Sequence, residues 1–324
     1  MHRLARKGEF LLNPVVPGLP RFLRRALADR VDIVALHFPN LMAMVAYLIA
    51  RPFRGPEKLV VFYHSEVVFA RFPWNVMGKM YYMFERLLLE RADRIVVASP
   101  NMAAISPQLP RYRDKISLVH YALEEGWTDL TAEQRERSES LRHEHGDRVA
   151  LFVGRLVPYK GVDVLLSAAR DIRGKIVIVG DGPLTEGLRL RVRREGLEGN
   201  VAFAGNVADL KPHFHACDLF VLPSVSHLEA FGIVQMEAMA FGKPSVSSDL
   251  PTGVTYINLP GRTGLSFPVG DAAALASAVN RLLDDGGLRR RLGEQARERV
   301  LSDFSQSAVG RMALDLYAEV AGAA

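Results

Sequence analysis

The stretch 176–183 reads Ile176-Val177-Ile178-Val179-Gly180-Asp181-Gly182-Pro183, four β-branched residues followed by a glycine-rich turn. A strand that is apolar on both faces belongs in a parallel sheet that helices cover on each side. Together with this run, at residues 175–180, similar runs give ten predicted strands, the others being at 31–36, 58–63, 94–98, 116–120, 149–154, 200–204, 219–223, 244–247 and 265–268. Helix-like segments separate them, at residues 76–91, 161–171, 184–195, 230–240 and 271–284. This repeated β–α alternation predicts a doubly wound α/β architecture.

Two domains are predicted, because residues 124–147 are rich in charge and nearly free of aliphatic clusters. This connecting segment is expected to contain a short exposed helix at residues 132–143. We assign residues 1–130 to an N-terminal Rossmann-like domain, 131–148 to a linker, 149–305 to a second Rossmann-like domain and 306–324 to a C-terminal helix. Two such domains predict a cleft, with ligands outside the carboxyl ends of the strands. The apolar pattern of the last helix leaves open whether it packs on its own domain or on the first.

Composition excludes several classes of protein. The 324 residues are 49% hydrophobic and 24% charged, which excludes a disordered or collagen-like chain, and the net charge is 41 − 36 = +5. Cys217 is the only cysteine, so the chain has no intramolecular disulfide and no cysteine-based zinc cluster. The longest apolar run, 41–50, is about half the length of a membrane-spanning helix, and no signal peptide is recognised. We therefore expect a cytoplasmic protein.

A first candidate binding loop follows the strand at 149–154. It carries Arg155 and Lys160 between Gly154 and Gly161, where a helix begins. Two cations near a helix N-terminus suit an anion, phosphate above all. The alternative is a solvated loop with ordinary surface charges. The order of Gly, Lys and Ser/Thr excludes a Walker loop.

The turn after residue 179 begins like a dinucleotide fingerprint, since Gly180 and Gly182 are separated by one residue. However, Thr185 stands at the third glycine position, and no acidic residue ends a strand about 20 residues later. A tight strand-to-helix turn is therefore the better interpretation, and a dehydrogenase is disfavoured.

The most informative segment is residues 224–240, which follow the strand at 219–223. Glu229 lies in the loop and Glu237 on the next helix, so the two carboxylates can accept hydrogen bonds from sugar hydroxyls. Gly232 permits close approach of the backbone to a ligand. The amides that would bind an anion are those of Phe231, Gly232, Ile233 and Val234. The alternative for Glu237 is an exposed helix carboxylate, but its apolar neighbours predict a half-buried one.

Histidines are the remaining candidates for chemistry. His64 follows the strand at 58–63, at the end of the sheet where ligands bind, and it can hydrogen-bond a ligand or transfer a proton. The alternative is an ordinary loop histidine. Four further histidines have no metal-ligand companions, so no metal site is predicted: His143, His145, His213 and His215.

These motifs together resemble retaining glycosyltransferases of the GT-B fold, specifically family four of the nucleotide-sugar-dependent transferases. The matching stretches are Phe152 to Leu156 through Lys160-Gly161, Ile178 to Pro183, Glu229-x7-Glu237 with Ala230-Phe231-Gly232, Glu237-Ala238-Met239-Ala240 with Gly242-Lys243-Pro244, and the turn from Gly264 to Pro268. They cover the second domain. Matches in the first domain are looser: Leu36-His37-Phe38-Pro39-Asn40, His64-Ser65 and Ser99-Pro100-Asn101.

The resemblance implies a role for each candidate. Arg155 and Lys160 would bind the donor's diphosphate and stabilise the departing nucleotide, with no metal or other cofactor. Glu229 would contact the donor sugar, Glu237 would hold the ribose hydroxyls, and His64 would approach the sugar near the reacting carbon. The amides near Gly232 would meet the sugar or phosphate, as would the backbone at Gly154. The implied activity is transfer of a hexose from a nucleotide diphosphate sugar to a glycan or lipid-linked acceptor.

The first domain departs from the family pattern. Family members begin with a strand and a glycine-rich loop that reaches the donor, and nothing before Val31 matches them, so we expect a domain incomplete at its start. The family's usual Pro-Asn-Gly before the linker is His120-Tyr121-Ala122 here. These departures leave a second hypothesis open, a nucleotide-sugar-binding protein or partner subunit with little or no catalysis.

Basic and aromatic residues in the first domain suggest a membrane contact. The stretches are Arg3 to Lys7, Arg21 to Arg25, Phe69 to Trp74 and Tyr81 to Phe84. A cationic, aromatic surface can bind anionic lipid headgroups, and the alternative is a helix packed on the sheet. Nucleic-acid binding is not expected, because no recognised module accompanies the charge.

Overall fold

The computed structural model describes residues 9–10, 13–14, 16–29, 31–53, 55–67 and 74–322. The strands are β1 (Glu9–Phe10), β2 (Asn13–Pro14), β3 (Ile33–Phe38), β4 (Lys58–Tyr63), β5 (Arg94–Val97), β6 (Ile116–Leu118), β7 (Val149–Val153), β8 (Lys175–Val179), β9 (Val201–Gly205), β10 (Leu219–Leu222), β11 (Ser245–Ser248) and β12 (Gly264–Phe267). The ten predicted strands are confirmed as β3 to β12, with ends shifted by at most a few residues.

The helices are α1 (Leu19–Ala28), α2 (Leu41–Ala50), α3 (Trp74–Arg91), α4 (Pro100–Ile105), α5 (Ala132–His145), α6 (Val162–Ala168), α7 (Thr185–Arg194), α8 (Lys211–Ala216), α9 (Ile233–Ala240), α10 (Gly253–Ile257), α11 (Ala272–Asp284), α12 (Gly286–Asp303) and α13 (Gln306–Ala321). Two 3₁₀ helices span Leu109–Lys115 and Pro158–Lys160. None of the helices in the described ranges combines the length and apolarity that crossing a bilayer requires.

The chain forms two compact units, each built on a parallel sheet. The N-terminal unit comprises residues 1–120 and 310–324, and the C-terminal unit comprises residues 121–309. The N-terminal sheet has the order β3-β4-β5-β6, and a separate antiparallel pair joins β1 to β2. The C-terminal sheet has the order β12-β11-β10-β7-β8-β9. Two Rossmann-like α/β units were predicted from the sequence, and the structure confirms them.

The C-terminal sheet is apolar on both faces, as its sequence requires. Phe152 and Ile178 belong to one buried cluster. Leu151 and Val177, their neighbours along the strands, belong to another. Because side chains alternate along a strand, these two clusters lie on opposite faces. Helices therefore cover the sheet from both sides, which is why its strands lack polar alternation.

The strand order places a switch point next to β7. The chain runs from β7 to β8 and β9 on one side, and then returns to β10, β11 and β12 on the other. In open α/β sheets, ligands bind outside the carboxyl ends of the strands at such a point. The loops that follow β7 and β10 are those that carry the predicted binding residues.

The unit boundaries differ from the predicted domain boundaries. Residues 121–148, predicted to be the end of the first domain and a linker, belong to the C-terminal unit. Most of this segment is helix α5, whose N-terminus is stabilised by a capping box between Thr131 and Gln134. Arg142 on α5 donates hydrogen bonds of 2.8 and 3.0 Å to the Asp218 carboxylate. Only two residues of α5 are buried, so its apolar signal was too thin to indicate packing.

The C-terminal helix α13 belongs to the N-terminal unit from Gly310 onward. Leu316 and Val320 are buried in a cluster with Val60 of β4 and Val96 of β5. Glu319 also pairs with Arg94. The question that the apolar pattern left open is therefore answered: the last helix packs on the first unit.

Candidate functional site

The loop after β7 and the loop after β10 meet through backbone contacts. Gly161, with φ +68°, lies so close to the β10 loop that a Cβ there would be 1.9 Å from the Pro223 carbonyl oxygen. The Val225 amide donates a 2.8 Å hydrogen bond to the Tyr159 carbonyl. A glycine is needed at 161, since any side chain would push the two loops apart.

Lys160 and Glu229 form a buried ion pair at this junction. Lys160 Nζ donates a 2.6 Å hydrogen bond to Glu229 Oε2, and each side chain is only 9% exposed. Ser224 Oγ donates a second bond, of 2.8 Å, to the same oxygen. Glu229 Oε1 accepts none from the described residues and is left for a ligand. The sequence predicts Lys160 and Glu229 as separate ligand-binding groups, whereas in the structure they form an ion pair with each other.

Arg155 differs from Lys160, although both stand on the same loop. Its side chain is exposed and makes no hydrogen bond or ion pair with any residue that the structure describes. It lines a cavity of about 350 Å³ at the carboxyl ends of β7 and β8, together with Gly154, Gly180, Asp181 and Asn206. A free guanidinium at the mouth of a cavity can bind an anion without breaking an existing pair.

The predicted helix at 230–240 begins at Ile233, because Gly232 has φ +87° and acts as its N-cap. A positive φ is not helical, so the three residues before Ile233 stay in the loop. No side chain caps α9, which leaves its first-turn amides, those of Ile233 and Val234, without side-chain partners. Phe231 is buried against Tyr121, with ring centroids 5.0 Å apart, and against Phe304.

Glu237 is half-buried on α9, as predicted. Desolvation raises its pKa to about 7, and its carboxylate has no hydrogen-bond or ion-pair partner within the described ranges. The Trp127 indole N–H donates to the Glu237 carbonyl at 3.3 Å, which ties this turn of α9 to the segment before α5. A carboxylate that has lost water and gained no partner is suited to accepting hydroxyl donors from a ligand.

His64 lies in the N-terminal unit, directly after β4, as predicted. Its Nε2 lies 2.8 Å from Nδ1 of His37, which occupies the equivalent end of β3. Burial, followed by the effect of His37, lowers the pKa of His64. Among the described residues, no group of three or more His, Cys, Asp or Glu side chains is arranged to hold a metal ion.

Three contacts were missed from the sequence, namely those of Ser224, Tyr121 and His37. Ser224 is the first loop residue after the Leu222-Pro223 strand end and is completely buried. A buried hydroxyl needs a hydrogen-bond partner, so the position of Ser224 five residues before Glu229 could have indicated this contact. His37 ends a strand in the same way as His64, and the same positional argument applied to it. Tyr121 carried no such signal.

Family models match most of the chain. The model described as "Glycosyl transferases group 1" matches residues 133–299, and that described as "Glycosyltransferase Family 4" matches residues 3–124. Curated relatives include "O-antigen chain mannosyltransferase C" of Escherichia coli, 34% identical over 89% of this chain and 75% of the relative. Another is "D-rhamnosyltransferase WbpZ" of Pseudomonas aeruginosa, 36% identical over 87% of this chain and 72% of the relative.

Solved structures share the fold. HepE of Anabaena, crystallised with UDP, superposes with a TM-score of 0.78 at 20% identity, covering 94% of this chain and 82% of HepE. Sucrose-phosphate synthase of Thermosynechococcus elongatus gives a TM-score of 0.78 at 26% identity, covering 97% of this chain and 82% of the synthase. With two Rossmann-like units and both family models matched, the chain belongs to the group 1 glycosyl transferases of the GT-B fold.

Proposed function

We propose that this glycosyltransferase moves a hexose, with retention of anomeric configuration, from a nucleotide diphosphate sugar to a glycan or lipid-linked acceptor. The observation that carries the proposal is the buried Lys160–Glu229 pair at the switch point of the C-terminal sheet, together with Arg155 on the same loop as Lys160, whose side chain has no partner among the described residues. A diphosphate needs fixed cations, and a sugar needs fixed hydrogen-bond acceptors. The two loops supply both.

The proposed roles of Lys160 and Arg155 follow from the N–H donors that their side chains do not use within the protein. An ammonium group has three N–H donors, and Lys160 uses one for Glu229, which leaves two for the diphosphate. Arg155 supplies the second cation. Cations fixed in place stabilise the negative charge that develops on the phosphate oxygen as its bond to the anomeric carbon breaks. The amides of Ile233 and Val234 and the backbone at Gly154 add neutral donors.

The sugar and ribose contacts are assigned to the carboxylates. Glu229 Oε1 would accept a hydroxyl of the donor sugar, with Oε2 held by Lys160 and Ser224. Glu237 would accept the ribose hydroxyls. From the N-terminal unit, we assign His64 to the sugar near the reacting carbon, as the resemblance implies.

The names of the relatives suggest which sugar the donor carries. One is a mannosyltransferase and another a D-rhamnosyltransferase, and D-rhamnose is 6-deoxy-mannose. A sugar of the manno configuration, with an axial 2-hydroxyl, is therefore the donor that we propose, carried on GDP. HepE has also been crystallised with UDP-glucose, which is therefore the comparison donor.

The test offers the purified protein GDP-mannose, GDP-D-rhamnose and UDP-glucose with an acceptor glycan, and follows nucleotide release and product by NMR. We expect turnover with a GDP sugar, an α-configured product and loss of turnover in Arg155→Ala. Arg297→Ala, which removes an exposed arginine of α12, is the matched control. Nucleotide binding by calorimetry without turnover, with every donor, would instead favour the non-catalytic hypothesis.

We also propose that the cations of the chain replace a metal. Arg155 and Lys160 bring two positive charges to the diphosphate, the task that a divalent cation performs in metal-dependent transferases. Turnover should then be unchanged in excess EDTA. A fall in rate that Mg²⁺ or Mn²⁺ restores would overturn this part.

A peripheral contact with the membrane is proposed for the exposed face of α3. Met80 and Met83 are 58% and 56% exposed, and exposed Leu87 follows on the same side. Lys79 and Arg86 lie between them, with Arg86 also paired to exposed Glu90 at 2.7 Å, so the face is apolar with a net positive charge suited to anionic headgroups. Tyr81, predicted from the sequence to belong to this surface, is instead buried. Residues 3–7 and 69–73 of the predicted surface lie outside the described residues.

This surface would hold a cytoplasmic enzyme against the inner face of the membrane, near lipid-linked acceptors. Co-sedimentation with vesicles containing anionic phosphatidylglycerol should exceed that with neutral phosphatidylcholine. Lys79→Glu with Arg86→Glu should abolish the difference, while Arg297→Glu should not. If the double variant co-sedimented with anionic vesicles as well as the unmodified protein does, the assignment would be wrong.

A further inference from the structure

Helix α9 is short, and its own backbone does not complete its last turn. In a regular helix the Phe241 amide would donate a hydrogen bond to the Glu237 carbonyl, four residues earlier. Here the Phe241 amide donates instead to the Ala238 carbonyl, at 3.0 Å, because the helix tightens at its end. The Glu237 carbonyl oxygen is therefore left for a donor from outside the helix.

The indole of Trp127 is that donor. Its Nε1–H donates a 3.3 Å hydrogen bond to the Glu237 carbonyl oxygen, from a position 110 residues earlier in the chain. Both residues belong to the C-terminal unit. A carbonyl at a helix end needs a partner from another segment, so the indole supplies the bond that the backbone of α9 omits.

The Trp127 ring is itself held in place by its surroundings. It lies in a tight turn, in which the Asp129 amide donates a 2.9 Å hydrogen bond to the Gly126 carbonyl. Lys211 Nζ lies 5.5 Å from the centre of the indole ring and donates to the carbonyls of Gly126 and Asp129, at 3.2 Å each. The Phe214 ring packs on the indole with centroids 6.3 Å apart. These contacts fix the direction in which the indole N–H points.

We propose that Trp127 is a positioning residue for the nucleotide, because its indole N–H fixes the turn of α9 from which the Glu237 carboxylate meets the ribose hydroxyls. The proposal rests on the assignment of Glu237 to the ribose under the proposed function. Trp127 lies between the segments that the two family models match, residues 3–124 and 133–299, so the likeness to the family assigns it no role.

Loss of this hydrogen bond should change nucleotide affinity more than the chemical step. The ribose is bound alike in the bound donor and in the transition state, and loss of such an interaction raises KM without lowering kcat. A loosened turn would also admit water to the Glu237 carboxyl. Because desolvation raises the pKa of this carboxyl to about 7, the pKa should then fall towards its ordinary value.

Two tryptophan analogues isolate the indole N–H. Benzothienylalanine has the shape of tryptophan with sulfur in place of the N–H, whereas 5-fluorotryptophan retains the N–H. The chain has two tryptophans, so Trp74→Phe leaves position 127 as the only one that takes up the analogue. Trp127→Phe is a second variant, which keeps an aromatic ring without the donor. For each protein, calorimetry measures the affinity for GDP and for UDP between pH 5 and pH 8, and steady-state kinetics give KM and kcat.

We expect the 5-fluorotryptophan protein to behave like the Trp74→Phe parent. The benzothienylalanine protein should bind the nucleotide about five- to tenfold more weakly at pH 8, the size of one hydrogen bond, with a raised KM and kcat little changed. The midpoint of its affinity against pH should lie below that of the parent, and Trp127→Phe should show the same changes. Equal affinities and equal midpoints in the two analogue proteins would overturn the inference, as would a fall in kcat with an unchanged KM.

Glu237→Gln separates this inference from the proposed function. Unchanged nucleotide affinity in Glu237→Gln would remove Glu237 from the ribose, and the inference with it. Weaker binding in Glu237→Gln, with no effect of benzothienylalanine at position 127, would keep Glu237 on the ribose and reject the role of Trp127.

Discussion

Lys160 Nζ lies 2.6 Å from Glu229 Oε2, although the two residues are 69 positions apart and each side chain is only 9% exposed. Burying a charge without a partner is costly, so the pair must form if these loops are to close over each other. The ion pair therefore prepares the site in two ways. It fixes the ammonium group near the β7 loop, and it turns one carboxylate oxygen outward.

Removing one partner of this pair should destabilise the C-terminal unit. Lys160→Met leaves Glu229 buried without its cation, and Glu229→Gln leaves Lys160 buried without its anion. We expect about 3 kcal/mol of lost unfolding free energy for each, and less than their sum for the double variant. Urea unfolding measures both. Arg194→Met, which breaks an ion pair with Glu195 whose arginine is 79% exposed, should cost less than about 1 kcal/mol.

Loss of the Ser224 hydroxyl should loosen Glu229 without removing a charge. In Ser224→Ala the Oε2 atom keeps Lys160 but loses the 2.8 Å bond from Ser224 Oγ. A hydrogen bond to a charged group contributes about 1.5 to 3 kcal/mol, so we expect a comparable loss of stability and a fall in kcat. Ser226→Ala, two residues further along the same loop, is the control. Equal kinetics in the two variants would remove Ser224 from the site.

From the raised pKa of Glu237 we predict that stability and nucleotide affinity change with pH in opposite directions. A carboxyl whose pKa is about 7 in the folded chain and about 4.5 when unfolded releases its proton more readily in the unfolded state, so it lowers stability as the pH rises from 4.5 to 7. Glu237→Gln should therefore stabilise the ligand-free protein at pH 8, by about 1 to 3 kcal/mol. Thermal unfolding at pH 4 and pH 8 measures the difference, which should nearly vanish at pH 4, below the pKa of the unfolded carboxyl.

Nucleotide binding should respond in the other direction. If the ionised Glu237 carboxylate accepts the ribose hydroxyls, affinity for GDP rises between pH 6 and pH 8, and binding at pH 7 releases a proton. Calorimetry in two buffers of different ionisation enthalpy detects that proton. Glu237→Gln should bind weakly at every pH, and Glu186→Gln, on the exposed side of α7, should behave as wild type. A pH-independent affinity in the unmodified protein would contradict the assignment.

The strands were readable from the sequence, and several helices were not. Buried parallel strands are continuous apolar runs, which is why β3 to β12 stood out. Helix α2 is also a continuous apolar run, so periodicity could not mark it as a helix. Its start was marked by Asn40, whose side chain accepts a 3.0 Å bond from the Ala43 amide. Helix α5 was predicted over residues 132–143 and is confirmed, but its few apolar residues gave no indication that it packs on the C-terminal unit.

The sequence indicates which loops form the site but not which side chains contact each other. Parallel strands bring their carboxyl ends to one edge, so Arg155, Glu229 and His64 could be placed at the ends of their sheets. The pairing of Lys160 with Glu229, and of His37 with His64, depends on side-chain directions in loops. Those directions are set by tertiary packing, which no local pattern records. Gly161 is an example, since its contact with Pro223 appears only when both loops are in place.

Gly161→Ala should separate the cost of backbone strain from the cost of displacing the loop. Gly161 has φ +68° and a Cβ there would lie 1.9 Å from the Pro223 carbonyl oxygen, whereas Gly196 has φ +65° and nothing within 4 Å. Both alanine variants adopt a left-handed conformation, which costs about 1 to 2 kcal/mol. Only Gly161→Ala must also push the β7 and β10 loops apart, and with them Lys160 and Glu229. We expect Gly196→Ala to lose that stability and retain GDP binding, and Gly161→Ala to lose more stability and bind GDP at least tenfold more weakly, as measured by urea unfolding and calorimetry. Equal GDP affinity in the two variants would show that the contact between the loops does not hold the site.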